Sequence, residues 1–221
     1  MRNFFPAPWF LMQVGIVFIA LVTSTPSHAQ ATNDPPFYGP FNAVFLPDGD
    51  GLKKPLEKTD SLLRADSRWS IYAWVKPTET QRMPSLVAGL GAPDEEFPRF
   101  LALSSDHLMF YMGKDNVLFA NASLAAEKWH FIAATFDGEQ LRLYADGASV
   151  ASGKLDAGSV SPVLEMAPPS LPSPNWRHFG GFIASLTVLR DALSNDEIKQ
   201  LFQKPDDFSN REFEEGSKPW P

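Results

Sequence analysis

The residues best suited to hold a ligand are aromatic side chains that stand beside polar groups. Trp176 and Arg177 occur together in the predicted loop 174–178. Tyr111 and Tyr144 fall in predicted strands, from which their rings could reach a sheet surface. Aromatic faces stack on flat rings such as those of sugars, and nearby polar groups fix the orientation of a ligand. These four residues are the predicted ligand-binding set, although Trp176 could instead fill the edge of the core beneath a proline-rich loop.

The acidic residues do not follow the pattern of a glycan-cleaving active site. Such a site needs two carboxyl groups that flank the scissile bond, and alternation along a strand would direct both to one face. The run Asp94-Glu95-Glu96 is consecutive, so we expect its side chains to diverge, and Pro93 and Pro98 place it in a loop. No Gly-x-Ser-x-Gly elbow is present for Ser/His/Asp catalysis. We therefore predict no catalytic residue, and we assign structural roles to the histidines after residue 29.

The overall charge and the cysteine count exclude several classes of partner and site. The 221-residue chain carries 19 basic and 26 acidic residues, which gives a formal net charge of −7. A negative surface repels phosphate backbones, so nucleic acid is not an expected partner. Without cysteine the chain cannot form disulfides, thiolate metal sites or a cysteine nucleophile. Because small secreted eukaryotic modules often carry disulfides, the composition favours an exported bacterial protein.

The first 29 residues are typical of a secretory signal peptide. Arg2 supplies a positive start, and the apolar run 10–22 is shorter than the roughly 20 residues needed to span a bilayer. The small residues Ser27 and Ala29 fit cleavage after Ala29. We therefore expect a secreted or periplasmic mature protein that is not held in a membrane, since no second long apolar run follows. An uncleaved membrane anchor is the alternative.

Beyond residue 40 the sequence consists of short apolar runs separated by turn signals, which is typical of a β-sandwich or barrel. Residues 69–77 alternate so that one face is apolar and the other aromatic. Asp137-Gly138 and Asp146-Gly147 separate three further runs, and Asp-Gly tolerates the positive φ angles of type I′ turns. This predicts two hairpins in a three-stranded meander. Ser194 and Glu197 form a capping box ahead of an apolar stripe, which predicts one short helix.

The order of these segments resembles the laminin G-like (LamG) branch of the concanavalin A-like lectin/glucanase superfamily. The resemblance rests on four segments in the order that this family shows: 42–50, 69–77, 128–147 and 181–198. The segment 128–147, with its Trp129 strand and two Asp-Gly turns, is the most specific of them. The resemblance implies an all-β fold, a two-sheet antiparallel jelly-roll sandwich with one short C-terminal helix.

The same resemblance implies a class of function without fixing it, because this fold hosts lectins, adhesion modules, glucanases and lyases. It favours a secreted, non-catalytic module that binds an extracellular or periplasmic carbohydrate. One arrangement that fits such a module is the N-terminal accessory part of a larger exported protein. The alternatives are a glycan hydrolase or lyase, and a module that binds a protein partner. Many relatives hold one calcium ion at the rim, where Asp48 and Asp50 could supply oxygens. Solvated carboxylates in an Asp/Gly turn are the other interpretation of these two residues.

The predicted layout of the chain has four parts. Residues 1–29 are the signal peptide and residues 30–40 a flexible lead-in. The sandwich spans residues 41–204, and residues 205–221 form a tail or linker. Within the sandwich, residues 153–178 are predicted to be mostly loop, because proline cannot donate to a central ladder and residues 167–174 are rich in it.

Overall fold

A computed structural model describes residues 44–46, 49–56, 64–79, 82–105, 107–113 and 116–203. Within these residues the chain forms thirteen strands and one helix. The elements are β1 (Val44–Leu46), β2 (Leu52–Pro55), β3 (Trp69–Pro77), β4 (Ser85–Leu90), β5 (Arg99–Ser104), β6 (His107–Tyr111), β7 (Val117–Ser123), β8 (His130–Phe136), β9 (Leu141–Ala145), β10 (Ala148–Gly153), β11 (Val163–Met166), β12 (Arg177–His178), β13 (Gly181–Leu189) and α1 (Asn195–Gln203). The predicted signal peptide, lead-in and tail lie outside the described residues.

The strands form two sheets. Sheet A has the order β1-β13-β3-β8-β9-β10, and sheet B has the order β2-β11-β4-β5-β6-β7. Every neighbouring pair along these two orders is antiparallel, and only the two-residue β12 pairs in parallel, with β4. The predicted fold class, an all-β sandwich of two antiparallel sheets with one short C-terminal helix, is confirmed.

Trp69 of β3 joins the two sheets across the core. Its ring is fully buried and lies 5.4 Å from the ring of Phe110 in sheet B and 5.7 Å from that of Phe136 in sheet A, measured between centroids. Alternation along β3 sends Ile71 and Val75 to the same interior face, as the sequence predicts. Burial of each large apolar side chain contributes about 2 kcal/mol, so this shared interior is the main source of stability.

Both Asp-Gly hairpins form, but their turns differ. Asp146 and Gly147 have φ angles of 48° and 78°, the two positive values that a type I′ turn needs, so this prediction is confirmed. The Asp137 hairpin has a four-residue loop instead, in which the Asp137 carboxylate accepts the N–H groups of Glu139 and Gln140. Those hydrogen bonds and Arg142 lower the pKa of Asp137 to about 2.

Helix α1 starts at the predicted capping box. The N–H of Ser194 donates to Oε2 of Glu197 at 2.8 Å, and the N–H of Glu197 donates to Oγ of Ser194 at 3.3 Å. The apolar side of the helix packs Ile198, Leu201 and Phe202 on the outer face of sheet A. None of the helices in the described part of the chain is long and apolar enough to cross a membrane.

Strand β11 is the main departure from the predicted layout. It lies inside sheet B, between β2 and β4, within a stretch that the sequence predicts to be mostly loop. Its Glu165 is 1% exposed and pairs with Lys53 of β2, with Nζ and Oε1 2.9 Å apart. This ion pair allows a charged residue in a central strand. The proline-rich residues between β11 and β12 form no strand, as predicted.

Candidate functional site

The outer face of sheet B carries an apolar patch. The pleat sends Leu101 and Leu103 of β5 into the core, and it sends the residues between them to the opposite face. We call this cluster the sheet B patch; its buried members are Leu86, Phe100, Ala102, Met109 and Tyr111. All five members are at most 6% exposed, so this outer face is covered, and Val117 and Trp176 are the partly buried residues that pack against it.

A turn holds Trp176 against the sheet B patch. The N–H of Trp176 donates to the carbonyl of Ser173 at 3.0 Å, and the N–H of Arg177 donates to the carbonyl of Pro84 at 2.8 Å. These bonds fix β12 beside β4 and direct the indole ring toward β6. The rings of Trp176 and Tyr111 then meet edge to face, with centroids 4.9 Å apart and planes at 64°. The structure therefore brings together two of the four predicted ligand-binding residues.

Trp176 and Tyr111 differ in exposure. Trp176 is half-buried, so part of its indole ring remains accessible. Tyr111 is 6% exposed, and its hydroxyl donates to the carbonyl of Pro93 at 3.4 Å. Burial raises the pKa of Tyr111, and the nearby Asp94 raises it further, so the phenol stays neutral. Tyr111 thus supports the indole, and Trp176 offers the accessible aromatic surface.

An open cleft of about 760 Å³ lies beside this aromatic pair. Tyr111, Trp176 and Phe97 supply its aromatic lining. Residues 172 and 173, at the end of the proline-rich segment, border the cleft on the side of Trp176. The volume lies within the range of roughly 300–1,000 Å³ that is usual for small-molecule pockets.

Carboxylates line the other side of the cleft. Asp94, Glu95 and Glu96 come from the loop between β4 and β5, and Asp156 comes from the segment after β10. Among the described residues that line the cleft, these four are acidic and none is Lys or Arg. All three consecutive acids belong to this lining, but the Glu95 carboxylate is hydrogen-bonded to Ser161 and Ala92 whereas Asp94 and Glu96 are exposed. The lining therefore does not contradict the expectation that their side chains diverge. Sequence analysis did not find Asp156, which no spacing rule links to the other three.

Glu95 has a structural role in this loop. Its carboxylate accepts the N–H of Ala92 at 3.1 Å, the N–H of Ser161 at 3.0 Å and the hydroxyl of Ser161. Burial raises the pKa of Glu95, but the hydrogen bonds from Ser161 and Ala92 outweigh it and leave the pKa below its usual value. Glu95 therefore fixes the loop as an anion, which is the opposite of what a general acid requires.

Asn116 and Gly113 position the far end of the cleft. The Asn116 amide donates to the carbonyls of Met112 and Asp156, and its Oδ1 accepts the N–H of Asp156 at 3.2 Å. Gly113 has a φ of 109°, and a Cβ there would lie 2.3 Å from the carbonyl oxygen of Glu96. Glycine is therefore required where the β6–β7 connection approaches the acidic loop.

Tyr144 does not lie at the cleft. Its side chain is 1% exposed beneath α1, where it packs with Phe131 and Ile198. Its hydroxyl donates to Oδ1 of Asn195 at 2.8 Å. The expected position on an open sheet surface is corrected, because the helix covers that face of sheet A.

Arg177 is also outside the cleft lining. It is exposed, and its Nε donates to Sδ of Met83 at 3.3 Å. Its neighbour Trp176 points to the cleft while Arg177 points away, because successive residues of an extended segment face opposite sides.

The predicted calcium site has no described ligand cluster. Asp50 is exposed, and Asp48 lies outside the described residues. In the part of the chain that the structure describes, no group of three or more His, Cys, Asp or Glu side chains could hold a metal ion. The calcium site therefore stays a prediction.

Comparison of the sequence with models of known protein families identifies the family of this chain. The family model Laminin_G_3, described as Concanavalin A-like lectin/glucanases superfamily, matches residues 50–199. The chain belongs to this family. The matched range of this laminin G-like domain includes the four acidic residues of the cleft, its aromatic pair and most of α1. No curated protein sequence matches the chain.

Several solved structures share the fold of this laminin G-like domain. The CBM40 domain of Ruminococcus gnavus IT-sialidase bound to α2,3-sialyllactose has a TM-score of 0.59 and 18% identity, and the alignment covers 73% of this chain and 96% of that one. The botulinum neurotoxin serotype G binding domain has a TM-score of 0.56 and 14% identity, covering 73% and 42%. The leech intramolecular trans-sialidase complexed with 2,7-anhydro-Neu5Ac has a TM-score of 0.57 and 21% identity, covering 72% and 26%. At these identities the likeness establishes the fold alone.

Proposed function

We propose that this laminin G-like domain is an exported, non-catalytic module that binds carbohydrate in the cleft beside Trp176. The observation that carries the proposal is the half-buried indole held edge to face against Tyr111 at the border of an open cleft. A fixed aromatic face stacks on the apolar face of a sugar ring at little entropic cost, because packing has already ordered it.

The other side of the cleft supplies the polar contacts that a sugar needs. The carboxylates of Asp94, Glu96 and Asp156 belong to exposed residues, and no ion pair among the described residues uses them. A carboxylate accepts hydrogen bonds from sugar hydroxyls, and such charge-assisted bonds are stronger than neutral ones. The cleft thus has a suitable size and a lining that is both aromatic and acidic.

The fold neighbours support the same class of ligand. The CBM40 domain was solved with a sialylated sugar, and a neurotoxin binding domain has the same fold. Export is supported by the sequence of residues 1–29, with its positive start, short apolar run and small residues before Gln30.

A glycan hydrolase is the second candidate, and the four carboxylates in the cleft are the observation that favours it. Hydrolysis needs one carboxyl group that stays protonated until it donates its proton to the leaving oxygen. Glu95 cannot take that part, because its hydrogen bonds hold the pKa low. The remaining test is direct: incubation of bound glycans with the protein should yield no shortened products, and cleavage that Glu96→Gln abolishes would establish the enzyme instead.

A glycan array tests the binding proposal. The protein is collected from the exported fraction of a bacterial host, where its N-terminus should be Gln30 if the signal peptide is cleaved. We expect the wild-type protein to bind a subset of glycans and Trp176→Ala to weaken that binding about tenfold or more, because stacking on an aromatic ring contributes roughly 1.5 kcal/mol.

Trp129→Ala is the matched control for this experiment. Trp129 is also half-buried, but it packs with Phe182 and Ala184 on the outer face of sheet A. It should retain the affinity of the wild-type protein. An equal loss in both variants, or binding that survives in Trp176→Ala, would place the glycan elsewhere. Binding of a protein partner with no competition from any glycan would favour the adhesion alternative.

A further inference from the structure

We infer that the cleft selects uncharged, hydroxyl-rich glycans and rejects sugars that carry carboxylate or sulfate groups. This inference rests on the proposed function, since it assigns the chemical class of ligand to the cleft beside Trp176. It also separates this domain from the CBM40 domain of similar fold, which was solved with a sialylated and therefore anionic sugar.

The charge of the lining carries the argument. Asp94, Glu95, Glu96 and Asp156 are four acidic residues in the lining of one cleft, and the described lining contains no Lys or Arg. An anionic sugar that stacks on Trp176 would lie within the same cleft as these groups. Like charges a few ångströms apart repel strongly in a partly desolvated pocket, where the effective dielectric constant falls below that of water.

Nearby cations do not offset this charge. Lys53 interacts electrostatically with Asp94 and Glu95, but its ammonium group is 2.9 Å from the buried carboxylate of Glu165. Arg99 is fully buried, and its guanidinium donates to the carbonyls of Arg64 and Gly158. Neither residue belongs to the cleft lining. An incoming carboxylate would therefore find no basic partner there.

Uncharged sugars meet the opposite situation. Three of the carboxylates belong to exposed side chains of Asp94, Glu96 and Asp156, which can accept hydrogen bonds from hydroxyl groups. Glu95 is already occupied by Ser161 and Ala92. The cleft therefore combines an aromatic side with three available acceptors, which matches a sugar rich in hydroxyl donors.

Matched glycan pairs test the inference. The probes are lactose against 3′-sialyllactose, and oligoglucosides against oligoglucuronides of equal length, measured by calorimetry with the exported protein. The readout is the ratio of the dissociation constant of the anionic member to that of the neutral member. We expect a ratio of about ten or more at an ionic strength of about 0.01 M, falling toward one at about 1 M, where the Debye length shrinks to about 3 Å.

Two triple variants separate the charge of the cleft from the charge of the whole protein. The cleft variant is Asp94→Asn, Glu96→Gln and Asp156→Asn, and it should bring the ratio close to one. The control variant removes the same three charges from exposed residues that do not line the cleft: Asp66→Asn, Glu139→Gln and Asp191→Asn. It should keep the ratio of the wild-type protein.

The outcomes distinguish this inference from the proposed function. Tighter binding of the anionic glycans, or equal ratios in the two triple variants, would overturn the inference. The proposed function would still stand in that case if glycan binding depends on Trp176. Failure of the wild-type protein to bind any glycan overturns both.

Discussion

At the scale of single residues, His130 couples the stability of the sandwich to pH. Its Nδ1 lies 2.9 Å from Oδ2 of Asp146 and its Nε2 lies 3.2 Å from the carbonyl oxygen of Ala125. The negative charge of the Asp146 carboxylate favours the doubly protonated ring. The hydrogen bond to Asp146 raises the pKa of His130 more than burial lowers it, so the folded pKa exceeds the usual value.

The sign of the pH effect follows from this raised pKa. The contribution of His130 is fully present below the unfolded pKa of about 6.5 and is lost as the pH rises through the higher folded value. We expect His130→Gln to lower the free energy of unfolding more at about pH 5 than at about pH 9, as measured by urea denaturation. His107→Gln is the control, since the ring nitrogens of His107 lie within hydrogen-bond distance of the uncharged oxygens of Ser105 and Asn121. Identical pH profiles for the two variants would refute the role of Asp146.

Some residues of the candidate site could be predicted from the sequence and others could not. Trp176 and Tyr111 could be nominated from the sequence, because exposed or half-exposed aromatic residues in loops and sheet faces are the usual contacts of sugars. The acidic side of the cleft could not. Asp156 and Asp94 line the same cleft from two different loops, and strand alternation does not predict the positions of loop side chains. The prediction that Tyr144 lies on an open sheet surface is wrong, because the sequence pattern does not indicate which sheet face the helix covers.

At the scale of elements, the loop between β4 and β5 is held to the segment before β11 by Glu95 and Ser161. Three hydrogen bonds to one carboxylate fix this loop, and hydrogen bonds to a charged group contribute roughly 1.5–3 kcal/mol each. Because the same loop carries Asp94 and Glu96, its position sets the shape of the cleft.

Glu95→Ala should therefore destabilise the protein by about 2 kcal/mol and weaken glycan binding as well. The expected loss is smaller than the sum of the three hydrogen bonds, because Glu95 is only partly buried and water can screen its carboxylate. Ser161→Ala should have a smaller effect in the same direction, because the N–H groups of Ser161 and Ala92 remain.

The stability that Glu95 contributes should also depend on pH. Because the folded protein lowers the pKa of Glu95, this stability is present above the unfolded pKa of about 4.3 and is lost as the pH falls further. Asp94→Asn serves as the control: it should leave the unfolding free energy unchanged in chemical denaturation. Unaltered stability in Glu95→Ala would contradict this role of the carboxylate.

The strands and the helix that could be predicted are those whose own sequence shows apolar alternation, clear turns or a helix cap. β3, β8, β9 and β13 combine apolar alternation with clear turns, and α1 has its capping box. β11 could not be predicted, because Pro162 and Pro168 flank it and Glu165 interrupts its apolar pattern. Its place between β2 and β4 depends on the ion pair with Lys53, which is a tertiary contact.

At the scale of the whole molecule, the order of local signals was enough to predict two stacked sheets. Trp69 is the physical reason, since its strand must bury a large ring that only an opposing sheet can cover. The function does not follow from that architecture, because the same sandwich supports binding and catalysis alike. We propose that it depends on the cleft, where the proline-rich segment and three loops supply the lining residues.

A titration followed by NMR tests the central proposal most directly. The ¹⁵N-labelled exported protein is titrated with a neutral glycan selected from the array, and the indole and side-chain amide signals are followed. The signals of the Trp176 indole and the Asn116 amide, which lie at the cleft, should shift together and saturate, while that of the core residue Trp69 should stay unchanged. Shifts confined to Trp129 and its neighbours on sheet A, with Trp176 unaffected, would contradict the account.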